Sequence, residues 1–264
     1  MPNGLGVIIY SNEEKYEGEI KNGYRHGNGT YYYSNGSVYN GQFVCNKREG
    51  QGILEYHNKE RYEGHWQNDM KNGFGKHYYE DGSFYEGNFK NGKRNGEGIF
   101  HYDDSQKVEG TWVDGKLTGY GYLVSSEIVY DGYFKDGMKN GKGKATFKNG
   151  DRYDGWWVSD EPQGTGVFTF VSGDRYEGDF SQGKRNGNGN YIYEIGDLYE
   201  GNWRSDIKEG QGRISMVSGD VYEGEWLRGV KNGEGEYIFG NGDYYFGSFH
   251  QGMRHGKGRY KWED

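Results

Sequence analysis

A Tyr-x-Gly triplet recurs along this chain at an almost constant interval. Its starts lie 23 residues apart, except for one 22-residue step from Val108 to Tyr130. A Gly-x-Gly triplet follows each start, and Gly4 and Gly6 form one further pair ahead of the first. Self-similarity at a fixed period indicates an array of like units, each burying its face against its neighbours. We expect one continuous array over residues 1–264, with a partial repeat at 1–15, and starts at Tyr16, Tyr39, Tyr62, Tyr85, Val108, Tyr130, Tyr153, Tyr176, Tyr199, Tyr222 and Tyr245.

The unit has the pattern of a β-hairpin. From Tyr176 to Phe180, apolar residues and glycine alternate with acidic residues, which is the period of a strand with one packed face. A turn is predicted at residues 182–187 and a second at 194–197, because Asn-Gly and Gly-Asp pairs tolerate positive φ. Two strands of five to seven residues and two turns use all 23 residues, so no helix is expected. The predicted fold is all-β, an elongated single-layer antiparallel meander of tandem 23-residue hairpins.

The glycines of Gly-x-Gly share a parity with the aromatic rings. Gly187 and Gly189, for example, fall on the same face as Tyr191 and Tyr193. A missing Cβ there leaves a trough in which a neighbouring ring can lie flat on the backbone, which offsets the poor strand propensity of glycine. We therefore predict that these glycines accommodate rings.

Composition supports a thin, ring-covered sheet. The chain has 27 Tyr and 7 Trp, and each such ring can bury roughly 150 to 250 Å² while its polar tip stays wet. The net charge of −8 argues against general nucleic-acid binding, which normally shows a basic excess. Cys45 is the only cysteine, so no intramolecular disulfide is expected, and residues 1–10 lack the features of a signal peptide. These features favour a soluble, cytoplasmic protein.

The unit resembles the MORN repeat (membrane occupation and recognition nexus). Residues 85–98, YEGNFKNGKRNGEG, and residues 222–235, YEGEWLRGVKNGEG, match its pattern throughout. The resemblance implies an assembly or interaction module without enzymatic activity of its own. Proteins of this family occur in cilia and flagella, in cytoskeletal structures and at membrane junctions. It therefore implies a scaffold of the cilium, the axoneme or another cytoskeletal assembly, such as the cell cortex.

No catalytic or metal-binding motif is found in the sequence. The Gly-x-Gly pairs lack the third glycine and the strand-then-helix context of a phosphate loop. The seven histidines are scattered without ligand spacing, and the acidic residues recur at equivalent positions of the repeat, whereas a catalytic pair should be singular. We expect no enzyme activity, cofactor, metal site, small-molecule substrate or nucleic-acid partner.

Two charged rows accompany the repeat. An acidic row is expected on the face opposite the rings, at Glu17, Glu63, Glu86, Glu109, Asp131, Asp154, Glu177, Glu200 and Glu223. A basic ridge is expected along one edge, interrupted only by Leu117 and Pro162. One interpretation is that the rows balance each other and keep the sheet soluble; the other is that the ridge binds an acidic polymer or anionic lipid multivalently. The ridge consists of Arg25, Arg48, Lys71, Arg94, Lys139, Arg185, Lys208, Lys231 and Arg254.

A single layer cannot bury both faces, so part of the ring-bearing face should be an open groove. Exposed Tyr and Trp are typical anchors of protein interfaces. We expect a helix or an extended peptide of a partner protein to lie along this groove, and we favour it over lipid. The alternative function is a membrane-associating module that binds phosphoinositides through the basic ridge. The groove residues are Tyr31, Tyr33, Phe168, Phe170, Tyr191, Tyr193, Tyr237, Phe239 and Trp262.

The array is irregular in two places. Around residues 100–130, Val108 replaces the repeat tyrosine and two loops lack their glycine. We expect a local change of bend or twist there; the alternative is simple drift of the repeat. At the N-terminus, residues 4–10 form a lone second strand, and its segment 7–10 carries no charge to protect the outer edge. Either the chain continues a longer array, or this edge pairs with another chain to form a homodimer.

Overall fold

The computed structural model describes residues 1–263, which contain 23 β-strands and no helix. Short strands with Tyr-x-Gly alternate with longer strands with Gly-x-Gly, as the two halves of the repeat require. No helix among the described residues is long and apolar enough to cross a membrane. The strands are β1 Gly4–Ile9, β2 Lys15–Lys21, β3 Tyr24–Tyr32, β4 Val38–Val44, β5 Lys47–Glu55, β6 Arg61–Gln67, β7 Met70–Tyr78, β8 Phe84–Lys90, β9 Lys93–His101, β10 Lys107–Val113, β11 Lys116–Val124, β12 Ile128–Lys135, β13 Met138–Phe147, β14 Arg152–Val158, β15 Glu161–Thr169, β16 Arg175–Ser181, β17 Lys184–Ile192, β18 Leu198–Arg204, β19 Ile207–Ser215, β20 Val221–Leu227, β21 Val230–Ile238, β22 Tyr244–His250 and β23 Met253–Lys261.

The strands belong to one antiparallel sheet, and the predicted single-layer meander is confirmed. Two compact units can be distinguished by their contacts. The first comprises Met1–Ser126 with Phe134–Gly137, and the second Glu127–Tyr133 with Met138–Asp264. In the first unit β1 to β11 pair in chain order, and in the second β13 to β23 do the same. The predicted change of bend around residues 100–130 stays a prediction.

The turn that closes each hairpin is tighter than the sequence predicted. Gln182 and Gly183 alone connect β16 to β17, with φ of 51° and 74°, and this positive pair matches the twist of the flanking strands. Residues 184–187, which were predicted as turn, lie in β17, so the strands have seven and nine residues and not five to seven. The added residues of β17 are taken up by a bulge opposite the segment between Gly178 and Phe180.

The core is a column of rings on one face of the sheet, which we call the ring face. The repeat tyrosines lie at its centre, and Tyr176 has no solvent-exposed surface. Its ring meets Phe180 edge-on at 5.2 Å and Trp203 of the next hairpin at 5.4 Å. Its hydroxyl donates a hydrogen bond to the carbonyl oxygen of Asp179 at 2.9 Å. Because each tyrosine packs between the large ring of its own strand and that of the next repeat, adjacent hairpins share one apolar core.

The second glycine of each Gly-x-Gly leaves room for the tyrosine. A Cβ on Gly189 would lie 2.3 Å from the Tyr176 hydroxyl oxygen and 2.4 Å from its ring. The predicted trough is thus confirmed at this position. The first glycine has another use, since Gly187 has φ of +106° and forms the bulge of β17. The prediction that both glycines accommodate rings was wrong for the first of the pair.

The outer edge of β1 carries apolar side chains. β1 pairs with β2 on one side, and its residues Leu5, Val7 and Ile9 are 86%, 56% and 77% exposed. They face away from the ring face, opposite Glu19, Glu17 and Lys15 of β2. Homodimer formation through this edge stays a prediction.

Candidate ring-face binding surface

A second row of rings lies beside the buried column, and we call it the outer row. In it Phe168, Phe170, Tyr191 and Tyr193 follow one another with ring centres 4.7, 5.8 and 4.7 Å apart. All nine residues predicted to line the groove lie in this row. Its members are Tyr31, Tyr33, Tyr56, Tyr79, Phe100, Tyr102, Phe147, Phe168, Phe170, Tyr191, Tyr193, Tyr237, Phe239, Tyr260 and Trp262.

The outer row is less open than the sequence predicted. Tyr31 is only 6% exposed, the predicted residues from Tyr33 to Phe239 are half-buried, and Trp262 is 67% exposed. The reason is that each ring packs at a tilt against the next, so that one edge and not a whole face of the ring is exposed to solvent. The sequence reasoning also missed ring-face members of the same register, of which Tyr102 is 51% exposed. The signal was available, because these tyrosines lie 17 residues after their repeat tyrosine, as Tyr193 does after Tyr176.

Hydrogen bonds hold the outer row in place. The hydroxyl of Tyr191 donates to Asp174 Oδ2 at 2.8 Å, and the same carboxylate accepts the backbone N–H of Glu194 at 2.8 Å. The N–H bond of Glu194, followed by that of Tyr191, lowers the pKa of Asp174. Tyr237 and Asp220 repeat the contact at 2.9 Å two hairpins later. The rings are therefore fixed in orientation before any partner binds.

The residues predicted as an edge ridge extend over the ring face. The guanidinium of Arg185 lies 4.5 Å above the ring of Trp203 and 5.3 Å from that of Tyr191. Its Nη2 donates to the carbonyl oxygen of Asp206 at 3.1 Å, and its Nε donates to Asp206 Oδ1 at 3.0 Å. Arg185 thus joins its own hairpin to the next turn as well as covering two rings.

The same arrangement recurs along the chain, so the residues predicted to form a basic ridge cover rings as well. Nine cations lie over aromatic rings, with 4.1 to 6.0 Å between the charged group and the centre of the ring. The face of an aromatic ring attracts a cation, and these rings are the nearest such partners where each cation leaves its turn. Eight of these cations are half-buried, and Arg254 is exposed. These residues are Arg25, Arg48, Lys71, Arg94, Lys139, Arg185, Lys208, Lys231 and Arg254.

Burial changes the ionisation of three lysines in this set. Desolvation lowers the pKa of Lys71 and of Lys208 to about 8 each, and it lowers that of Lys231 as well. Lys71 Nζ lies 3.2 Å from Nδ1 of His77, whose Nε2 is 3.2 Å from Glu60 Oε2. Burial and the nearby Lys71 lower the pKa of His77 to about 4, so His77 is neutral and can accept from Lys71 while donating to Glu60.

Much of the acidic row has basic partners of its own. It pairs with basic residues of its own face, as in Arg175 with Glu177 at 2.7 Å and Lys144 with Asp154 at 3.1 Å. The ring-face cations instead pair with turn carboxylates, such as Arg48 with Asp69 at 3.3 Å. These pairs do not favour the interpretation in which the two rows balance each other. Each face carries its own counter-charges.

The outer row has gaps, and cavities open beside two of them in the first unit. One, of about 360 Å³, lies where Leu54 takes the place of a ring. The other, of about 380 Å³, lies beside Leu117 and Leu123 in the irregular repeat. No group of three or more His, Cys, Asp or Glu residues within 1–263 could hold a metal ion.

Solved structures that match this chain include a TCP10 and a TCP10c domain. The TCP10 domain of Danio rerio CPAP, in complex with a peptide of Danio rerio STIL, is 13% identical; the match covers 85% of this chain and 91% of that chain, with a TM-score of 0.32. The TCP10c domain of Drosophila melanogaster Sas-4 is 14% identical over 76% of this chain and 100% of that chain, with a TM-score of 0.28. At these values the likeness says nothing about the partner of this chain. No curated protein matches the sequence.

The family comparison covers almost the whole repeat region. The model of the MORN repeat matches at residues 16–38, 39–61, 62–84, 85–107, 109–126, 130–152, 153–175, 176–198, 199–221, 222–244 and 245–264. These eleven matches begin at the repeat tyrosines, apart from the one at residue 109, which follows Val108. They confirm the resemblance to the MORN repeat that the sequence shows. The chain belongs to the MORN-repeat family.

Proposed function

We propose that this chain is a non-catalytic scaffold that docks an extended segment or a helix of a protein partner along its ring face. The observation that carries the proposal is the outer row of aromatic rings, together with the cations that cover rings on the same face of the sheet. Tyr, Trp and Arg are the residue types that dominate the energetics of protein interfaces. A row of them at the spacing of the repeat offers one contact per hairpin.

The row is suited to binding because it is already ordered. Tyr191 is held by Asp174, and Arg185 is held by Asp206 and by the rings beneath it. Ordering a long side chain on binding costs about 0.5 to 1.5 kcal/mol, and these side chains are fixed beforehand. A partner segment therefore meets a surface whose rotamers need not be selected.

Membrane binding through the basic ridge receives less support from the geometry. A lipid surface attracts cations that reach solvent freely, whereas Lys71, Lys208 and Lys231 are half-buried over rings and have lowered pKa values. The arginines are in part neutralised by turn carboxylates, as Arg48 is by Asp69. We therefore favour a protein partner over anionic lipid.

For the setting of this scaffold we propose a cilium or another cytoskeletal assembly, in line with where proteins of this family are found. A cytoskeletal partner fits a repeated surface, since both would present equivalent contacts at regular intervals. The test is the fraction of a tagged chain that stays in the detergent-insoluble cytoskeletal pellet of ciliated cells.

The decisive variants are matched pairs of exposed aromatic residues on the two faces. Tyr102→Glu with Trp262→Glu alters the ring face, while Phe74→Glu with Trp156→Glu alters the opposite face at similar exposure. We expect the first pair to release the chain from the pellet and the second to leave it there. Equal behaviour of both pairs, together with sedimentation on phosphoinositide-containing phosphatidylcholine vesicles at physiological salt, would instead support the membrane function.

A further inference from the structure

The cavity in the irregular repeat occurs where three substitutions coincide. Val108 takes the place of the repeat tyrosine, Leu117 that of the ring-covering cation, and Leu123 that of an outer-row ring such as Phe100. In no other repeat of the sequence do aliphatic residues occupy all three positions. Two rings and a cation that cover the sheet elsewhere are therefore missing together at this point.

Neighbouring side chains fill only part of the vacated space. In a regular hairpin the Tyr85 hydroxyl oxygen lies 2.1 Å from the site of a Cβ on Gly98. At the equivalent Gly121, the nearest side-chain atom is a ring carbon of Phe134 at 3.1 Å. Likewise, a Cβ on Gly110 would lie 3.1 Å from a side-chain carbon of Leu117. An opening of about 380 Å³ remains, which falls within the range of small-molecule and side-chain binding pockets.

The wall of this cavity is apolar, and one unpaired cation lies at its side. Val108, Trp112 and Leu117 are at most 5% exposed and form its floor. Lys116 and Asp136 at the rim pair with each other at 3.3 Å. Arg94, 4.2 Å from the Trp112 ring, has no carboxylate oxygen within 4.0 Å of its guanidinium in the described part of the chain. Its Nη2 bonds only the carbonyl oxygen of Gly115, at 2.8 Å.

We propose that this cavity anchors one large apolar side chain, Phe, Tyr, Trp or Leu, of an extended partner segment that carries Asp or Glu beside it. The apolar side chain replaces the ring that Val108 and Leu123 do not supply. The carboxylate meets the uncompensated charge of Arg94. The inference rests on the proposed function, and it places the strongest contact of the ring face at the irregular repeat.

The probe is a library of random peptides displayed on phage and selected on the full chain. Selected peptides are synthesised, and their affinities are measured by fluorescence anisotropy against four variants. Val108→Tyr with Leu117→Arg restores the regular repeat and fills the cavity. Leu123→Trp fills it from another wall, so the test does not depend on one variant folding. Pro162→Arg restores a cation in a repeat that keeps its tyrosine, and serves as the matched control; Arg94→Gln removes the charge.

We expect the selected peptides to share a large apolar residue next to an acidic one. Both cavity-filling variants should weaken their binding roughly 10- to 100-fold, as expected for losing one buried apolar side chain, while Pro162→Arg leaves it unchanged. Arg94→Gln should weaken only peptides that have the acidic residue. Peptides that bind every cavity variant equally, but lose affinity on Trp262→Glu, which lies on the ring face outside the cavity, would overturn the anchor site and leave the proposed function standing. A chain that selects no peptide would contradict both.

Discussion

The guanidinium of Arg185 lies 4.5 Å above the indole of Trp203, a residue of the next hairpin. The arginine also donates to Asp206 in the following turn. The contact therefore crosses from one repeat to the next, and the same interaction in neighbouring repeats links consecutive hairpins along the ring face. The cations of this face have a structural role before they have any role in binding.

Arg185→Ala should lower the free energy of unfolding by about 2 kcal/mol. It removes a cation from the face of the Trp203 ring and leaves the carbonyl oxygen of Asp206 without its hydrogen-bond donor. Urea denaturation of the purified chain measures the change. Arg204→Ala is the control, because Arg204 is exposed and such substitutions usually stay within about 0.5 kcal/mol. If the two variants lost the same stability, the claim that Arg185 stabilises the contact between consecutive hairpins would be contradicted.

Gly189→Ala should cost about 3 kcal/mol of unfolding free energy. The new Cβ would lie 2.3 Å from the Tyr176 hydroxyl oxygen, and neither the buried ring nor the backbone beneath it can yield cheaply. Gly121→Ala should cost less, because no tyrosine ring lies over that glycine and a Cβ there would meet the Glu109 carbonyl oxygen at 2.8 Å and a Phe134 ring carbon at 3.1 Å, both farther than at Gly189. Thermal or urea unfolding of both variants provides the comparison. A larger loss at Gly121 would refute this account of the trough.

The lysines on the ring face predict an unusual dependence of stability on pH. The pKa of Lys71 is about 8 in the folded chain, below the usual lysine value of 10.5, so between these values the unfolded chain binds more protons. Stability should therefore rise from pH 8 to about 9, by about 1 kcal/mol for this group. Above about pH 9 the trend should reverse, because burial raises the pKa of many tyrosines, that of Tyr85 to about 12, and the unfolded chain loses their protons first.

Urea titrations at several pH values measure this rise, with Lys71→Met as the comparison. The stability of this variant should rise less between pH 8 and 9, because it has no buried ammonium group to neutralise. Lys144→Met serves as the control, since Lys144 is 72% exposed in its side chain and should leave the slope unchanged. Identical slopes for the wild type and Lys71→Met would show that Lys71 is not desolvated in solution.

The outer edge of β1 is expected to pair with a second copy of the chain. Three apolar side chains and an unpaired row of backbone groups lie along it, and Leu5 is 86% exposed. Light scattering should give a dimer mass for the wild type and a monomer mass for the double variant Leu5→Lys with Val7→Lys. A monomer mass for both proteins at high concentration would rule out this pairing.

The backbone fold could be predicted because the period, the Tyr-x-Gly alternation and the turn glycines all depend on local sequence. The position of the side chains could not. Arg185 and Asp206 lie 21 residues apart, and only the register of the hairpins shows that they meet. The turn was predicted too long because residues 184–187 look like a loop in sequence, whereas Gln182 and Gly183 make the turn and Gly187 takes up the bulge.

The candidate site was predicted in part for the same reason. A parity argument placed Tyr191 and Tyr193 on the ring face, but it could not show that Asp174 and Arg185 hold and cover them. Nor could it show the cavity, because the substitution of Val108 reads as repeat drift until Leu117 and Leu123 are seen on its walls.

Site-specific photo-crosslinking in ciliated cells tests the central claim most directly. A benzophenone amino acid is placed at Tyr102 on the ring face or, in a separate strain, at Phe74 on the opposite face; the two positions are 51% and 59% exposed. The account predicts that Tyr102 forms a crosslink of defined mass to one protein partner and that Phe74 does not. A crosslink from Phe74 with none from Tyr102, or crosslinks to lipid alone, would contradict it.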